Sequence, residues 1–180
     1  LFRRTIEVGK SFGVVTVLEG GHPIQVATFR SDHSYRDGRR PEGVTFSDLK
    51  TDVERRDFTI NGMMWDPIDD RIIDLVGGGA DLERRIVRAI GDPDRRFGED
   101  KLRILRAIRF ATVLDFTIER ETLEAIRRAA PDLLQMSWER ITAEMEKILV
   151  APRRAEGMDL IRELGLLERI FPECVAMIGT

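Results

Sequence analysis

The spacing of hydrophobic and polar positions changes once along the chain, near residue 92. Before this point the apolar residues form short, β-branched runs, which are typical of strands. Two such runs, Gly13–Glu19 and Pro23–Phe29, are separated by Gly20, Gly21 and His22 and predict an antiparallel hairpin. A second, smaller hairpin is predicted to pair Met63–Asp66 with Arg71–Leu75.

The polar segments between these runs predict loops and short elements. Arg30–Glu54 is polar and contains glycine, so we expect a long, mobile loop there, and loops of this length are usually functional. Asp57 or Thr59 is placed to cap a short helix that ends near residue 64. After three consecutive glycines, a short helix and a strand are predicted at Ala80–Arg84 and Ile86–Ala89.

From residue 94 onward the apolar positions recur every three or four residues, which predicts amphipathic helices. The predicted helices cover Gly98–Val113, Glu119–Ala129, Ser137–Leu149 and Arg153–Glu163. The fold class expected from this order is α+β: residues 1–91 form a domain with a short mixed or antiparallel sheet, and residues 92–180 form an all-helical domain.

Composition narrows the class of protein. Of the 180 residues 42% are hydrophobic, which suffices for a core, and no apolar run approaches the ~20 residues that cross a bilayer. A lone cysteine, Cys174, excludes an internal disulfide, and two histidines are too few for a metal cluster. We therefore expect a cytoplasmic protein with no membrane partner. The net charge is −3, and arginine, which outnumbers lysine, favours forked recognition of phosphates and base edges.

The predicted helix at Gly98–Val113 has two organised faces. At about 100° per residue, one arc is apolar, and Glu99, Arg103, Arg106 and Phe110 converge on the opposite side. The apolar arc consists of Leu102, Ile104, Leu105, Ile108 and Ala111. Glu99 and Arg103 form an i,i+4 pair, and Asp100 and Arg103 an i,i+3 pair. A carboxylate held beside a guanidinium can match the edge of a base, although an ordinary salt-bridged surface helix has the same pattern.

A second charged cluster lies at Arg55, Arg56, Asp57 and Asn61, around the start of the presumed short helix. Free backbone N–H groups at a helix start, together with two arginines, suit a phosphate or a ribose. A charged loop followed by an ordinary helix cap is the alternative. The aromatic side chains Trp65, Trp138, Phe110 and Phe116 are expected to pack in the core rather than to stack on bases.

Several motifs in series resemble the class II tRNA nucleotidyltransferases (CCA-adding enzymes) and the related bacterial poly(A) polymerases. They cover nearly the whole chain, in the family's order and spacing. The matching segments are Ile24–Arg30, Asp52–Gly62, Ile72–Leu82, Val87–Ala111 and Ser137–Leu149. The resemblance implies a partial polymerase-β-type head followed by a helical neck, and an activity that adds CMP and AMP from CTP and ATP to tRNA 3′ ends.

The resemblance also implies roles for single residues. Arg55, Arg56, Asp57 and Asn61 are expected to contact the ribose and triphosphate of the incoming nucleotide. The base edge is expected to be read by Asp100 and Arg103, with Glu99 orienting Arg103. Two further arginines, Arg106 and Arg109, match family positions assigned to nucleotide binding, although Arg109 lies nearer the edge of the apolar arc.

The metal site of the family is expected to be missing from this chain. The family uses an Asp-x-Asp pair after a glycine-rich turn to hold Mg²⁺, and no such pair precedes Gly13. The usual third carboxylate is replaced by Gln25, a poorer Mg²⁺ ligand, and Asp92 and Asp94 come at the wrong point in the order. We expect the Mg²⁺ ligands upstream of Leu1 and no nucleotide addition by this polypeptide alone.

Two other functions remain open on the sequence. A bacterial poly(A) polymerase, or an enzyme that adds only CC or only A, shares these motifs. A non-catalytic RNA-binding or helical scaffold module is a different class, favoured by Gln25 and by the missing Asp-x-Asp pair. Against the scaffold stands the combination of the two charged segments. The oligomeric state and the path of the RNA are left undetermined by the sequence.

Overall fold

The computed structural model describes residues 5–6, 13–35 and 41–177. Strands β1 (Thr5–Ile6), β2 (Val14–Glu19) and β3 (His22–Ala27) form an antiparallel sheet in that order. The turn between β2 and β3 consists of Gly20 and Gly21, both with positive φ (57° and 83°), a conformation that glycine adopts without strain. The predicted hairpin is confirmed.

The long loop predicted at Arg30–Glu54 is wrong over its described part. Strands β4 (Arg30–Tyr35) and β5 (Pro41–Phe46) pair antiparallel, and helix α1 (Leu49–Glu54) follows. Residues 36–40 lie outside the described residues. The strand Arg30–Tyr35 was missed because it is polar along its length, whereas ladder hydrogen bonds join backbone groups and do not require apolar side chains.

The second hairpin is confirmed: β6 (Met64–Asp66) pairs antiparallel with β7 (Arg71–Ile73). The helix predicted after Asp57 is a single 3₁₀ turn at Thr59–Asn61. Helix α2 (Gly78–Glu83) precedes β8 (Ile86–Val87), which pairs parallel with β9 (Thr117–Ile118) between the later helices. This pairing ties the first half of the chain to the helical half.

The helical half contains α3 (Pro93–Glu99), α4 (Arg103–Leu114), α5 (Arg120–Ala129), α6 (Trp138–Leu149), α7 (Arg154–Glu163) and α8 (Leu167–Ile170). The last three predicted helices are confirmed as α5, α6 and α7, to within one residue at each end. Residues 130–135 and 172–177 form 3₁₀ turns.

The prediction of a single helix at Gly98–Val113 is wrong, because the helical conformation is interrupted at Asp100, between α3 and α4. This residue is extended (φ −147°, ψ 106°), and its Oδ1 accepts a hydrogen bond from the backbone N–H of Leu102 at 3.0 Å. Aspartate side chains compete with helical backbone bonds in this way. The first helix begins earlier than predicted, since Asp92 caps it and Pro93 occupies its first turn.

One hydrophobic core joins the two halves. The predicted apolar arc of α4 is buried, which confirms it, and it packs with residues of α5, α6 and α7 and with Phe58 and Val87. The expectation for the tryptophans is wrong: Trp65 and Trp138 are 65% and 53% exposed, while Phe110 and Phe116 pack against the core. Among the described helices, none is both long and apolar enough to cross a membrane.

Candidate functional site

A buried aspartate, Asp52 on α1, holds the two neighbouring arginines. Its Oδ1 accepts from Arg55 Nε at 3.1 Å, and its Oδ2 accepts from Arg56 Nε and Nη2 at 3.2 and 3.0 Å. Arg55 Nε also lies 2.8 Å from the carbonyl oxygen of Arg30. Burial raises the pKa of the Asp52 carboxyl, but the hydrogen bonds from Arg55 and Arg56 outweigh it and hold that pKa below its ordinary value.

Asp57 connects this segment to helix α4. Its Oδ1 accepts from the backbone N–H of Phe58 at 2.8 Å and from Asn61 Nδ2 at 2.9 Å, while its Oδ2 accepts from Arg106 Nε at 2.7 Å. Burial raises the pKa of Asp57, but the Arg106 charge and the Asn61 amide lower it below its ordinary value. Arg56 completes the cluster, since its Nη1 donates to the Asn61 carbonyl at 2.9 Å.

Arg103 lies almost buried at the junction of α3, α4 and the Arg55–Asp57 segment, with 8% of its surface exposed. Its Nη1 lies 3.0 Å from Glu99 Oε2, and its Nη2 donates to the Arg55 carbonyl at 2.9 Å. A second arginine, Arg96, donates to the Glu54 carbonyl at 2.9 Å. The two predicted clusters are therefore in direct contact, and the Glu99–Arg103 pair forms across the break between the helices.

Asp100 does not pair with the Arg103 side chain as the helical spacing predicted. Because the backbone is extended at Asp100, its Oδ2 instead accepts from Arg140 Nη2 of α6 at 2.9 Å. Each carboxylate oxygen of Asp100 thus accepts one protein hydrogen bond, and a carboxylate oxygen has two lone pairs. Its remaining lone pairs can accept from a further donor.

Arg109 is directed toward α6 and away from the Asp57 cluster. Its Nε donates to Glu144 Oε2 at 2.6 Å, and its guanidinium lies 4.0 Å from the centroid of the Phe110 ring. Burial raises the pKa of Glu144, but Lys147 and Arg109 lower it below its ordinary value. The contacts of Arg109 thus join α4 to α6.

A small cavity of about 240 Å³ lies beside the Asp52 cluster. It is lined by Arg30, Asp52, Arg55 and Arg56, and by residues of the first sheet, of the connection between β3 and β4, and of β6. The cavity places three cationic side chains around one acidic one, which suits an anionic group such as a phosphate.

The side chains of the described residues do not fit a magnesium site. Gln25 lies exposed on β3, opposite Thr16 of β2. Within residues 5–6, 13–35 and 41–177, no group of three or more His, Cys, Asp or Glu side chains could hold a metal ion. The charged groups of the candidate site are therefore guanidiniums and carboxylates that are already paired with one another.

Known proteins share this arrangement of elements. A family profile described as the poly A polymerase head domain matches residues 1–88, and one described as the probable RNA and SrmB-binding site of polymerase A matches residues 115–177. The CCA-adding enzyme of Geobacillus thermodenitrificans (strain NG80-2) is 46% identical over 167 residues, which are 92% of this chain. The chain belongs to the family of CCA-adding enzymes and bacterial poly(A) polymerases.

Other members of the CCA-adding enzyme and poly(A) polymerase family agree in sequence and structure. The CCA-adding enzyme of Streptococcus gordonii is 44% identical over 93% of the chain. The crystal structure of the Bacillus stearothermophilus CCA-adding enzyme in complex with CTP superposes with a TM-score of 0.83 at 41% identity, covering 92% of this chain and 40% of that one. The Thermotoga maritima CCA-adding enzyme complexed with tRNA-CCA gives 0.77 at 30% identity over 94% of this chain and 38% of that one. The chain spans about two-fifths of the length of the curated relatives it matches.

Three residues that hold the candidate site together were not selected as site residues from the sequence. Asp52 stands three and four residues before Arg55 and Arg56, a helical spacing that could have identified it. Arg96 and Arg140 gave no such signal, because their partners Glu54 and Asp100 lie 42 and 40 residues away along the chain.

Proposed function

We propose that this chain is the nucleotide-selecting part of a template-independent RNA nucleotidyltransferase, which adds CMP and AMP from CTP and ATP to tRNA 3′ ends. The observation that carries the proposal is the contact between the two charged segments, through Arg103 and Arg96 on the carbonyls of Arg55 and Glu54. Base-reading and phosphate-binding groups then belong to one site. The membership of the family supports the same reaction.

The base is recognised by Asp100 and Arg103. Cytosine and adenine both carry an exocyclic amine beside an unprotonated ring nitrogen, whereas uracil and guanine present a carbonyl beside a ring N–H. A carboxylate accepts from the amine and a guanidinium donates to the ring nitrogen, so this pair of side chains selects C and A. Glu99, 3.0 Å from Arg103 Nη1, orients the guanidinium.

The sugar and phosphates are bound by the segment that carries Arg55, Arg56, Asp57 and Asn61. The cavity lined by the two arginines suits the phosphates, and Asp57 with Asn61 offers polar groups to the ribose. Arg106 supports this segment through Asp57, and Arg109 supports α4 through Glu144. Residues 1–91 then serve as the head and residues 92–180 as the helical neck.

The proposed reaction uses Mg²⁺, but the side chains of the described residues are not proposed as its ligands. In nucleotidyl transfer the ion would polarise the phosphate and activate the attacking hydroxyl. The side chains of this chain are instead proposed to bind and select the nucleotide, and we expect no nucleotide addition by the 180-residue chain alone. The single cysteine supports a cytoplasmic location as part of this proposal.

The test is nucleotide binding by the 180-residue chain, measured by calorimetry with CTP, ATP, UTP and GTP. We expect CTP and ATP to bind more tightly than UTP and GTP, and Asp100→Ala to reduce that preference by on the order of tenfold, equal to about 1.4 kcal/mol. Asp94→Ala, which removes an exposed carboxylate of α3, is the matched control. Equal affinity for all four nucleotides in the unmodified chain would contradict the proposal.

A poly(A) polymerase is the second candidate, because one matching profile is described as the poly A polymerase head domain. The same binding experiment separates the two functions in part. A CCA-adding enzyme requires binding of both CTP and ATP, whereas a poly(A) polymerase requires ATP alone. Binding of ATP without CTP would favour the second candidate.

A further inference from the structure

We infer that Asp52 is a positioning residue, which fixes the directions of Arg55 and Arg56 toward the phosphates of the incoming nucleotide. The inference rests on the proposed function, because it assigns the phosphates to the cavity that these arginines line. Asp52 itself is not proposed to touch the nucleotide.

The Asp52 carboxylate accepts hydrogen bonds from two guanidiniums. Asp52 is 3% exposed, and each of its oxygens faces a different arginine. Both arginines use the same pair of nitrogens, Nε and Nη2: Arg55 at 3.1 and 2.6 Å, and Arg56 at 3.2 and 3.0 Å. This forked geometry constrains the plane of each guanidinium as well as its position.

The surrounding contacts hold the carboxylate in place. The backbone N–H of Arg30 donates to Asp52 Oδ1 at 3.3 Å, and the Arg30 carbonyl accepts from Arg55 Nε at 2.8 Å. Strand β4 and helix α1 are thus joined through this group. On the other side, Arg56 Nη1 is bound to the Asn61 carbonyl. The orientation of the two arginines therefore depends on Asp52 at their common edge.

Asp52 has a second physical effect, and it acts in the opposite direction. As an anion beside the cavity, it reduces the positive charge that an incoming phosphate meets, so its removal would strengthen a purely electrostatic attraction. The arginine side chains are 25% and 34% exposed, however, and water and salt screen charges in such positions. Without the hydrogen bonds to Asp52, these two long side chains of like charge can adopt many rotamers. We expect the loss of orientation to dominate.

The experiment compares nucleotides that differ only in phosphate number, using Asp52→Asn in the 180-residue chain. Affinities for CTP, CDP, CMP and cytidine are measured by calorimetry at one salt concentration. In the unmodified chain, affinity should rise with each phosphate. In Asp52→Asn the ratio of CTP to CMP affinity should fall by on the order of tenfold, while cytidine affinity changes by less than about twofold.

Two further variants separate positioning from folding and from charge. Asp48→Ala removes the side chain that caps the same helix, where Asp48 Oδ1 accepts from the Thr51 N–H at 2.8 Å, and it should leave the CTP to CMP ratio unchanged. Asp52→Glu keeps the charge but moves it by one methylene. If Asp52 positions the arginines, this variant also loses part of the ratio; if it only reduces charge, the ratio stays at its original value.

The outcomes are distinct. A CTP to CMP ratio that is unchanged or increased in folded Asp52→Asn, or unchanged in folded Asp52→Glu, would overturn the positioning role while leaving nucleotide binding in place. If the unmodified chain shows no dependence on phosphate number, the proposed function fails at this cavity and the inference fails with it. Unfolding curves of each variant establish that the compared proteins are folded.

Discussion

At the scale of single residues, the charged side chains of the candidate site are bound to one another. Asp57 accepts hydrogen bonds from Phe58, Asn61 and Arg106, and Asp52 accepts from both neighbouring arginines. A buried carboxylate is costly unless it is paired, and removal of one partner leaves the other charge uncompensated. These residues therefore contribute to the stability of the fold, in addition to the nucleotide recognition proposed for them.

Replacement of Asp57 should show this double role. Asp57→Asn keeps the shape but removes the charge that pairs with Arg106, and its amide cannot accept on both sides. We expect the free energy of unfolding to fall by about 1–3 kcal/mol in urea titrations. Asp94→Asn, which breaks an exposed bidentate pair with Arg128, is the control and should change stability little. Equal losses in the two variants would contradict the assignment.

At the scale of elements, the position of the site depends on how closely the helices pack. Helix α7 approaches α4 at Gly157, where an added Cβ would lie 2.5 Å from Thr112 Oγ1 and 3.0 Å from Ile148 Cγ2. Thr112 cannot move freely, since its hydroxyl donates to the Ile108 carbonyl at 2.7 Å. Gly157 therefore permits the close contact between α7 and α4.

Two alanine substitutions of helical glycines should have opposite effects. Gly157→Ala should lower the free energy of unfolding by about 1–3 kcal/mol, because the methyl group overpacks the α4–α7 contact. Gly98→Ala in α3 meets no atom within 4 Å, and it should raise stability by up to about 1 kcal/mol through helix propensity. Thermal or urea unfolding measures both. A stabilising Gly157→Ala would show that the contact has room to adjust.

At the scale of the whole molecule, ionised carboxylates join elements that are distant in sequence. Asp57 connects the segment before the 3₁₀ turn to α4, Glu144 connects α6 to α4, and Glu119 at the start of α5 pairs with Arg88 Nη1 at 3.5 Å. For each of these three carboxyl groups, burial raises the pKa, but hydrogen bonds and neighbouring cations lower it below its ordinary value. The tertiary structure thus depends on these groups being charged.

The stability of the chain should therefore fall in acid. A carboxyl whose pKa is lower in the folded than in the unfolded state binds fewer protons when folded, so its contribution is complete above the unfolded value of about 4 and is lost as the pH falls through the folded value. We expect nearly constant free energy of unfolding at neutral pH and a progressive fall below about pH 5. Urea titrations at several pH values measure it. Glu144→Gln should flatten the profile, and a rise in stability on acidification would contradict the argument.

The sequence predicted most elements, and its failures have identifiable causes. The glycine turn at Gly20 and the amphipathic helices α5 to α7 were predicted because their signals lie within a few residues. The strand at Arg30–Tyr35 was missed, because its polar sequence lacks the apolar pattern of a strand, although its backbone pairs with β5. The break at Asp100 was missed, because Glu99 and Arg103 keep the spacing of a helix on either side of it, while one aspartate side chain interrupts the helix.

The candidate site was predicted as a set of residues, and its internal pairing was predicted only in part. Glu99 and Arg103 could be paired from their spacing, and they do form an ion pair at 3.0 Å. Asp100 was paired with the wrong arginine, since Arg140 comes from another helix. The roles of these residues toward a nucleotide remain predictions for the binding experiments.

Sequence alone determined the α+β class, the membership of a nucleotidyltransferase family and the two charged segments, because periodicity and motif order are properties of neighbouring residues. The tertiary structure decided which guanidinium meets which carboxylate. Arg106 and Asp57 are 49 residues apart in sequence, and Arg140 and Asp100 are 40 apart. Such partners are brought together by the packing of Phe58, α4 and α6 in one core, and that packing depends on the shapes of all its members at once.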